Sequence, residues 1–300
     1  MRIIRDLHQT NIERATVLTI GAFDGLHLGH QGLLRQLVHR ARQTERLSGV
    51  VTFDPLPRAV LHPGNNAVCL TTPEEKAELL AQWGLDILAI LPFTQELART
   101  SAQDFVSMLC AHLGMTEMWV GWDFALGRER KGSVSHLKKL GAAMSFAVHV
   151  VEPVLDGEVL ISSTQIRKLL SAGRVREAGE MLGRYYSLRG RITKEPLQAN
   201  EEGFTLVTVR VSEGYAMPAS GAYAVYANIG DIRCPAMANI RSGSGTEQEG
   251  QVYLLDCHAG VGAQGMTMQL VEHLHDEHAA PKVSPARIRK DIARAWEILT

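Results

Sequence analysis

The sequence predicts an α/β chain: a doubly wound parallel sheet, followed by a small antiparallel β-barrel with a C-terminal helix. Three observations carry this. Apolar, β-branched runs alternate with helix-periodic segments through the first part of the chain. From Tyr186 onward the runs are strand-like, divided by turns containing Gly, Ser and Asn. Beyond Ser284-Pro285, the residues Ile288, Ile292, Ala295 and Leu299 fall on one face of a helix. Two domains are expected, 1–184 and 185–300, in keeping with about two cores for a chain of 300 residues.

Taken in order, residues 15–20 form an apolar strand, and Leu33, Leu34, Leu37, Val38 and Ala41 then recur at helical spacing. Residues 49–53 read as a second buried strand, completing a βαβ unit that Asp54-Pro-Leu-Pro57 stops. Thr72-Pro-Glu-Glu75 is a capping box with Pro at the first helical position, and Gly84 follows the helix end. Residues 86–91 are a third strand, residues 101–113 a capped helix closed by Gly114, and residues 117–121 and 146–151 two further strands. In the second domain the expected strands are 187–193, 205–211, 222–229, 236–240, 252–257 and 266–274.

The formal net charge of -1 gives no general field that would draw the chain to nucleic acid or to a membrane surface. No apolar run is long enough to span a bilayer, and Met1-Arg-Ile-Ile-Arg-Asp6 has no signal-peptide character. The four cysteines, Cys69, Cys110, Cys234 and Cys257, form no C-x-x-C pair and read as reduced residues of a cytosolic protein. A cytoplasmic location is therefore expected. There is no internal repeat or low-complexity tract, and the sequence leaves protein partners open.

Chemistry concentrates in Gly21-Ala-Phe-Asp-Gly-Leu-His-Leu-Gly-His30, between the first strand and the first helix. In such a turn, backbone N–H groups and the helix dipole attract anions, and Gly21, Gly25 and Gly29 let backbone approach a ligand. His27 and His30, three apart, are spaced to face one phosphate chain. Two such histidines could also ligate zinc, but no third ligand stands at metal spacing. A dinucleotide turn would need G-x-G-x-x-G, which is absent. Surface histidines flanking a tight turn are the plain alternative. Ligands of a doubly wound sheet lie beyond the carboxyl ends of its strands. Two further stretches are expected there: Gly121-Trp-Asp-Phe-Ala-Leu-Gly-Arg-Glu-Arg-Lys-Gly132, and Ile161-Ser-Ser-Thr-Gln-Ile-Arg167 at a helix start. In the second, hydroxyls cap the helix while Arg167 can fork onto a phosphate.

The opening stretch resembles the HxGH signature of the nucleotidyltransferase superfamily, which also occurs in class I aminoacyl-tRNA synthetases. Its longer form, GxFDGxHxGH, is similar to the adenylyltransferase half of bacterial bifunctional riboflavin kinase/FAD synthetases. Residues 161–167 resemble the superfamily's I-S-[ST]-[ST]-x-[IV]-R, and residues 121–132 its G-x-[DN]-F-x-F-G loop, with Ala125 and Leu126 as departures. The resemblance implies a Rossmann-like nucleotidyltransferase domain that transfers AMP from ATP to FMN, giving FAD and pyrophosphate. It places His27, His30 and Arg167 in catalysis on the triphosphate. ATP binding would also involve Gly21, Phe23, Asp24, Gly25, Ser162, Ser163 and Thr164, and Asp123 would position substrate. Mg²⁺ is expected to accompany ATP, with no dedicated protein cage for the metal. Thr52-Phe-Asp-Pro-Leu-Pro57 departs from the family's T-F-[DE]-P-H-P, Leu56 replacing a histidine near the transferred phosphates.

The second half resembles the family's riboflavin kinase domain through Tyr186-Ser-Leu-Arg-Gly-Arg191, Gly221-Ala-Tyr-Ala-Val225, Ala238-Asn-Ile240, Leu254-Leu-Asp256 and Leu274-His-Asp-Glu277. Its kinase motifs have decayed. Where the family carries G-F-P-T-A-N, whose Thr and Asn hold phosphates and Mg²⁺, this chain has Gly203-Phe-Thr-Leu-Val-Thr208. Where the family has the glutamate of E-V-x-L-L-D, this chain has Gln251. The expectation is an FAD synthetase with a riboflavin-kinase-like barrel that lacks kinase activity. A fully bifunctional enzyme, a flavin- or nucleotide-binding regulator without turnover, and another HxGH enzyme stay open.

Overall fold

The computed structural model describes residues 1–62, 68–193, 197–199, 204–241, 248–257, 265–276 and 285–300. The chain divides into two compact units, Met1–Ile161 and Ser162–Thr300.

The first unit runs β1 (Arg2–Ile4), β2 (Thr16–Ile20), α1 (Leu28–Gln43), β3 (Leu47–Asp54), α2 (Pro57–Leu61), α3 (Pro73–Ala81), β4 (Ile87–Pro92), α4 (Gln95–Arg99) and α5 (Ala102–Leu113). It continues with β5 (Met115–Gly121), the small ladder of β6 (Ala125–Leu126) and β7 (Gly132–Ser133), α6 (Val134–Met144), β8 (Ala147–Val151) and the hairpin of β9 (Leu155–Asp156) and β10 (Val159–Leu160). Six strands form one parallel sheet in the order β1-β4-β3-β2-β5-β8. Chain order reverses at β2, so the turn after β2 opens at the switch point where doubly wound sheets bind ligands.

The local reasons are those of the sequence. All five residues of β2 are buried, as a central parallel strand requires. α1 buries Leu33, Leu34, Leu37, Val38 and Ala41, its periodic stripe. At α3, Thr72 Oγ1 accepts from the Glu75 N–H and Glu75 Oε2 accepts from the Thr72 N–H, a closed capping box. α5 starts on Ser101 and stops at Gly114, whose φ of 61° is left-handed. A Cβ at Gly114 would lie 2.7 Å from the carbonyls of Ile12 and Arg14. Within the six-stranded sheet one strand was not expected from the pattern: β1 is three residues long and joins the sheet edge by pairing Arg2–Ile4 with Ile87, Leu88 and Ala89.

In the second unit, α7 (Ser163–Ser171) and α8 (Val175–Leu182) precede β11 (Tyr186–Ile192), β12 (Leu197–Ala199), β13 (Phe204–Val211), β14 (Gly221–Ile229), β15 (Ile232–Ile240), β16 (Gln248–Leu255) and β17 (Gly265–Asp276), and α9 (Pro285–Leu299) ends it. The order β11-β17-β14-β15-β16-β13 closes through pairing of β11 with β13, giving a six-stranded antiparallel barrel. Ala295 and Leu299 of α9, with Ile288 and Ile292 beside them, pack on Ala222, Ala224, Met237, Tyr253 and Leu255. Both the doubly wound sheet and the barrel with its final helix are thus as the sequence predicts.

The cysteine expectation needs correcting. Cys69 and Cys110 are free, but Cys234 and Cys257 are disulfide-bonded, their Cα atoms 5.6 Å apart. Separated by 23 positions, they show no motif in the sequence. The β15–β16 register, Ala236 opposite Leu254, is what brings them together.

At the amino end of the parallel sheet, β5 carries a buried carboxylate, Glu117. Arg40 of α1 donates to both its oxygens at 2.9–3.1 Å, Arg46 bonds Oε1, Trp119 Nε1 donates at 3.4 Å, and His149 Nε2 lies 3.2 Å away. Burial pushes the Glu117 carboxyl up, but the Arg40 and Trp119 bonds and the nearby cations outweigh it and hold it below its ordinary 4.5. The two arginines are about a third exposed, which screens the pairs. Glu117→Gln is therefore expected to cost about 2 kcal/mol at neutral pH, read as a lower Tm. Because the folded carboxyl titrates below its unfolded value, this contribution is complete above the ordinary carboxylate range and is lost as pH falls through the folded value. The Tm difference between wild type and variant should close on acidification; a difference that persists would refute the assignment.

Candidate active site

Seven residues carry the chain from β2 into α1. Within them Phe23, Gly25 and Leu26 have φ of 46°, 81° and 42°, left-handed values unusual for the two non-glycines. Phe23 and Leu26 are nonetheless core residues, packed with Leu33, Leu34 and Leu37 of α1. Asp24 between them is 1 % exposed. Its Oδ1 accepts from the backbone N–H groups of Leu70, at 2.7 Å, and Thr71, at 3.3 Å, while Arg58 of α2 lies 3.6 Å from Oδ2. Gly25 N–H donates to Thr71 Oγ1 at 3.2 Å. Thus the Asp24 carboxylate holds the turn against the segment leading into α3.

α1 begins on an unusual cap. His27 is extended, and its Nδ1 accepts the His30 N–H at 3.4 Å. An acceptor Nδ1 assigns the proton of a neutral ring to Nε2, leaving that nitrogen a donor. The His27 and His30 rings stack, centroids 3.7 Å apart and planes 21° from parallel, and Phe23 lies 4.9 Å from the His30 ring. Burial first, then the charges of His27 and Lys76, hold His30 well below the ordinary imidazole range. It is therefore a neutral ring near pH 7. No acidic side chain stands in the first turn of α1, so its N-terminal dipole faces no carboxylate of its own helix.

Gly29 has a specific reason. A Cβ there would lie 3.1 Å from His27 Nδ1 and 3.6 Å from the Ile161 carbonyl. Ile161, whose N–H bonds the Val154 carbonyl at 3.1 Å, ends the first unit against the start of α1. Ser162 follows by one peptide bond and caps α7, accepting from the Gln165 N–H at 3.3 Å. Ser163, Thr164 and Arg167 occupy the first turns of α7, also without an acidic neighbour; these residues belong to the second unit. Asp123 is exposed just past the end of β5. Leu56 sits at the N-cap of α2, half-buried and making no side-chain cap bond. Among the described residues no group of three or more His, Cys, Asp or Glu is placed to hold a metal.

Sequence reading missed Lys76, Thr52, Thr71 and Arg58. A signal existed for Lys76: it lies four residues before Leu80, in the buried stripe of α3.

A family model described as FAD synthetase matches residues 9–165, and one described as riboflavin kinase matches residues 182–299. A Listeria monocytogenes protein named bifunctional riboflavin kinase/FMN adenylyltransferase is 33% identical over 81% of this chain and 78% of its own. The chain belongs to this family. A Pseudomonas fluorescens protein of the same name is 32% identical over 98% of this chain and 97% of its own. The crystal structure of a Streptococcus pneumoniae protein described as a macrolide-efflux protein covers 99% of this chain and 97% of its own with a TM-score of 0.84; at 24% identity it speaks for the fold.

Gly29→Ala tests, through its cap, whether the His27–His30 pair meets a phosphate chain. The added methyl meets His27 Nδ1 at 3.1 Å, and the ring, stacked on His30, has little room to retreat. Losing one hydrogen bond to phosphate corresponds to about tenfold weaker ATP binding, measurable by titration. Unchanged ATP affinity in a folded variant would show that the ring position is immaterial.

Proposed function

We propose that the chain is an FMN adenylyltransferase whose site is the His27–His30 pair at the N-terminus of α1; the likeness of residues 161–167 to the superfamily motif assigns Arg167 to the triphosphate as well. The two stacked imidazoles at the switch point of the sheet, with His30 held well below the ordinary imidazole range by burial, carry this reading, together with family membership. A phosphate oxygen of FMN attacks the α-phosphorus of ATP. The new P–O bond forms as the bond to the β-phosphate breaks, and pyrophosphate leaves. The nucleophile is already ionised near neutral pH, so no general base is required. Catalysis then consists of in-line positioning and stabilisation of charge on the phosphates.

His27 and His30 donate to the triphosphate, with the helix dipole adding positive potential. Arg167 supplies a planar fork to phosphate oxygens, and Ser162, Ser163 and Thr164 shape the start of its helix. Gly21, Phe23, Asp24 and Gly25 form the nucleotide-binding turn, Asp24 through the backbone bonds it accepts. Asp123 positions substrate. Magnesium enters with ATP as part of the substrate, and the reaction takes place in the cytoplasm.

FAD formation from ATP, Mg²⁺ and FMN, followed by chromatography, is the direct test. His30→Ala should retain the fold, since His30 lies outside the buried stripe of α1, and should lose about 10²–10³ in rate. Near-wild-type turnover would remove His30 from the site.

The relatives' shared name favours a second reading, bifunctionality. We propose instead that the barrel does not phosphorylate riboflavin. β13 runs unbroken from Phe204 to Val211 against β16. Thr208, at the place of the family's Asn, is the direct cross-strand partner of Gln251, at the place of its Glu. Phosphate holding and proton removal are therefore both altered at one pair, and an amide cannot take the hydroxyl proton as a base. Of the acids that could substitute, Glu249 is exposed and lies 3.5 Å from Arg210; Glu202 and Gly203 lie outside the described residues. Pure protein given riboflavin, ATP and Mg²⁺ should yield neither FMN nor FAD. Enzyme-dependent product would restore the bifunctional reading.

A further inference from the structure

Behind the histidine pair stands a lysine that the reaction as described does not use. Lys76 of α3 is 4 % exposed, a cost that an ammonium bears only when paired or hydrogen-bonded. Its Nζ donates to Thr52 Oγ1 at 3.4 Å, and the Thr52 hydroxyl in turn donates to the Ala22 carbonyl at 3.1 Å. Ala22 lies inside the Gly21–His30 stretch, two residues before Asp24. A chain of two hydrogen bonds therefore runs from a buried cation, through the last part of β3, to the backbone of the phosphate-binding turn.

We propose that Lys76 is a positioning residue of the adenylyl-transfer site: a fixed, buried positive charge that holds the Ala22 backbone through Thr52 and biases the electrostatics behind the His27–His30 pair. The proposal rests on the adenylyltransferase reading and adds a residue to it.

The surroundings fit a charge that is retained rather than an accident of packing. Asp24, in the turn, and Asp54, at the end of β3, both favour the ammonium, whereas burial, the largest influence, lowers its pKa. The other charged or titratable groups around it are Cys69 ahead of α3, Glu75 beside it in the capping box, Arg58 of α2 on Asp24, and His27 and His30 at the start of α1. Lys76 is one of the groups that keep His30 unprotonated. A cation at this place has two effects of one sign. It adds positive potential where the triphosphate charge must be met, and, after burial and His27, it further disfavours a proton on His30. The charge is thus supplied by a group that cannot drift away, while the imidazole remains a neutral donor.

Three variants of the full chain test this, each checked for folding by circular dichroism and Tm. Wild-type FAD formation decides the adenylyltransferase reading. The His30 titration, followed by NMR without substrates, decides the Lys76 proposal even if no FAD is formed. Lys76→Met removes the like charge and should move the His30 midpoint upward, shift the acidic limb of the pH–rate profile toward neutrality, and lower kcat about tenfold, as for the loss of one hydrogen-bonded orienting contact. Lys76→Arg keeps the charge and should leave the acidic limb in place, whatever it does to packing. Should Lys76→Met fail to fold, Thr52→Val decides: cutting the link to Ala22 at nearly constant volume should lower kcat without moving the acidic limb. A folded Lys76→Met with the wild-type His30 midpoint and acidic limb overturns the proposal. So does a shifted limb that Lys76→Arg reproduces in full, or an unchanged kcat in Thr52→Val.

Discussion

Phe23 and Leu26 hold left-handed backbone conformations that cost on the order of 1 kcal/mol or more each. The Asp24 carboxylate between them accepts two backbone N–H groups from Leu70 and Thr71. Thr71 answers by accepting from Gly25. These bonds, with burial of the Phe23 and Leu26 side chains in the core under α1, offset the strain of a chain that must leave a central strand and enter a helix within seven residues. The extended His27, its cap on the His30 N–H, and the stacking of the two rings all follow from where that turn delivers the chain. Without it, the sheet could still form, but its switch point would present no paired imidazoles.

Where pattern and packing point the same way, the sequence is legible. The stripe of α1, the capping box of α3 and the glycine stop of α5 require only local spacing and chemistry, and each stands as expected. β1 was not legible because three residues carry no period, and its place is set by β4. α6 buries only Leu137 and Gly141, too sparse a stripe to mark a helix between a loop and a strand. In the site, the motif residues were readable as a string, whereas their division of labour was not. Asp24 spends its acceptors on Leu70 and Thr71, some 46 positions away, and His27 doubles as a helix cap, a position where Ser, Thr, Asp and Asn are the readable signs. Lys76 looks like a solvated charge until α3 is seen to turn it inward.

The barrel shows how the demands of a fold and those of a chemistry fall on different residues. The barrel closes through its β11–β13 pairing, α9 covers its apolar end, and the strand-to-strand register is regular around Thr208 and Gln251. Nothing in that packing depends on an asparagine or a glutamate at those two positions. Core residues are constrained by volume and burial, and reactive ones by proton affinity and ligand geometry. Substitutions at the reactive positions can therefore accumulate without a structural penalty.

The sulfur chemistry is divided between the units. Cys69 and Cys110, in the first, are partly buried free thiols whose ionisation burial opposes, Cys69 being pushed up to about 11. A thiol that seldom ionises is a poor nucleophile toward disulfides or peroxides. The cystine joins the two neighbouring strands β15 and β16 in the second unit. A change in the surrounding thiol–disulfide balance would therefore be felt first by the barrel. The free thiols of the other unit are slow to respond to it, so the two halves would be exposed unequally to the same oxidising or reducing surroundings.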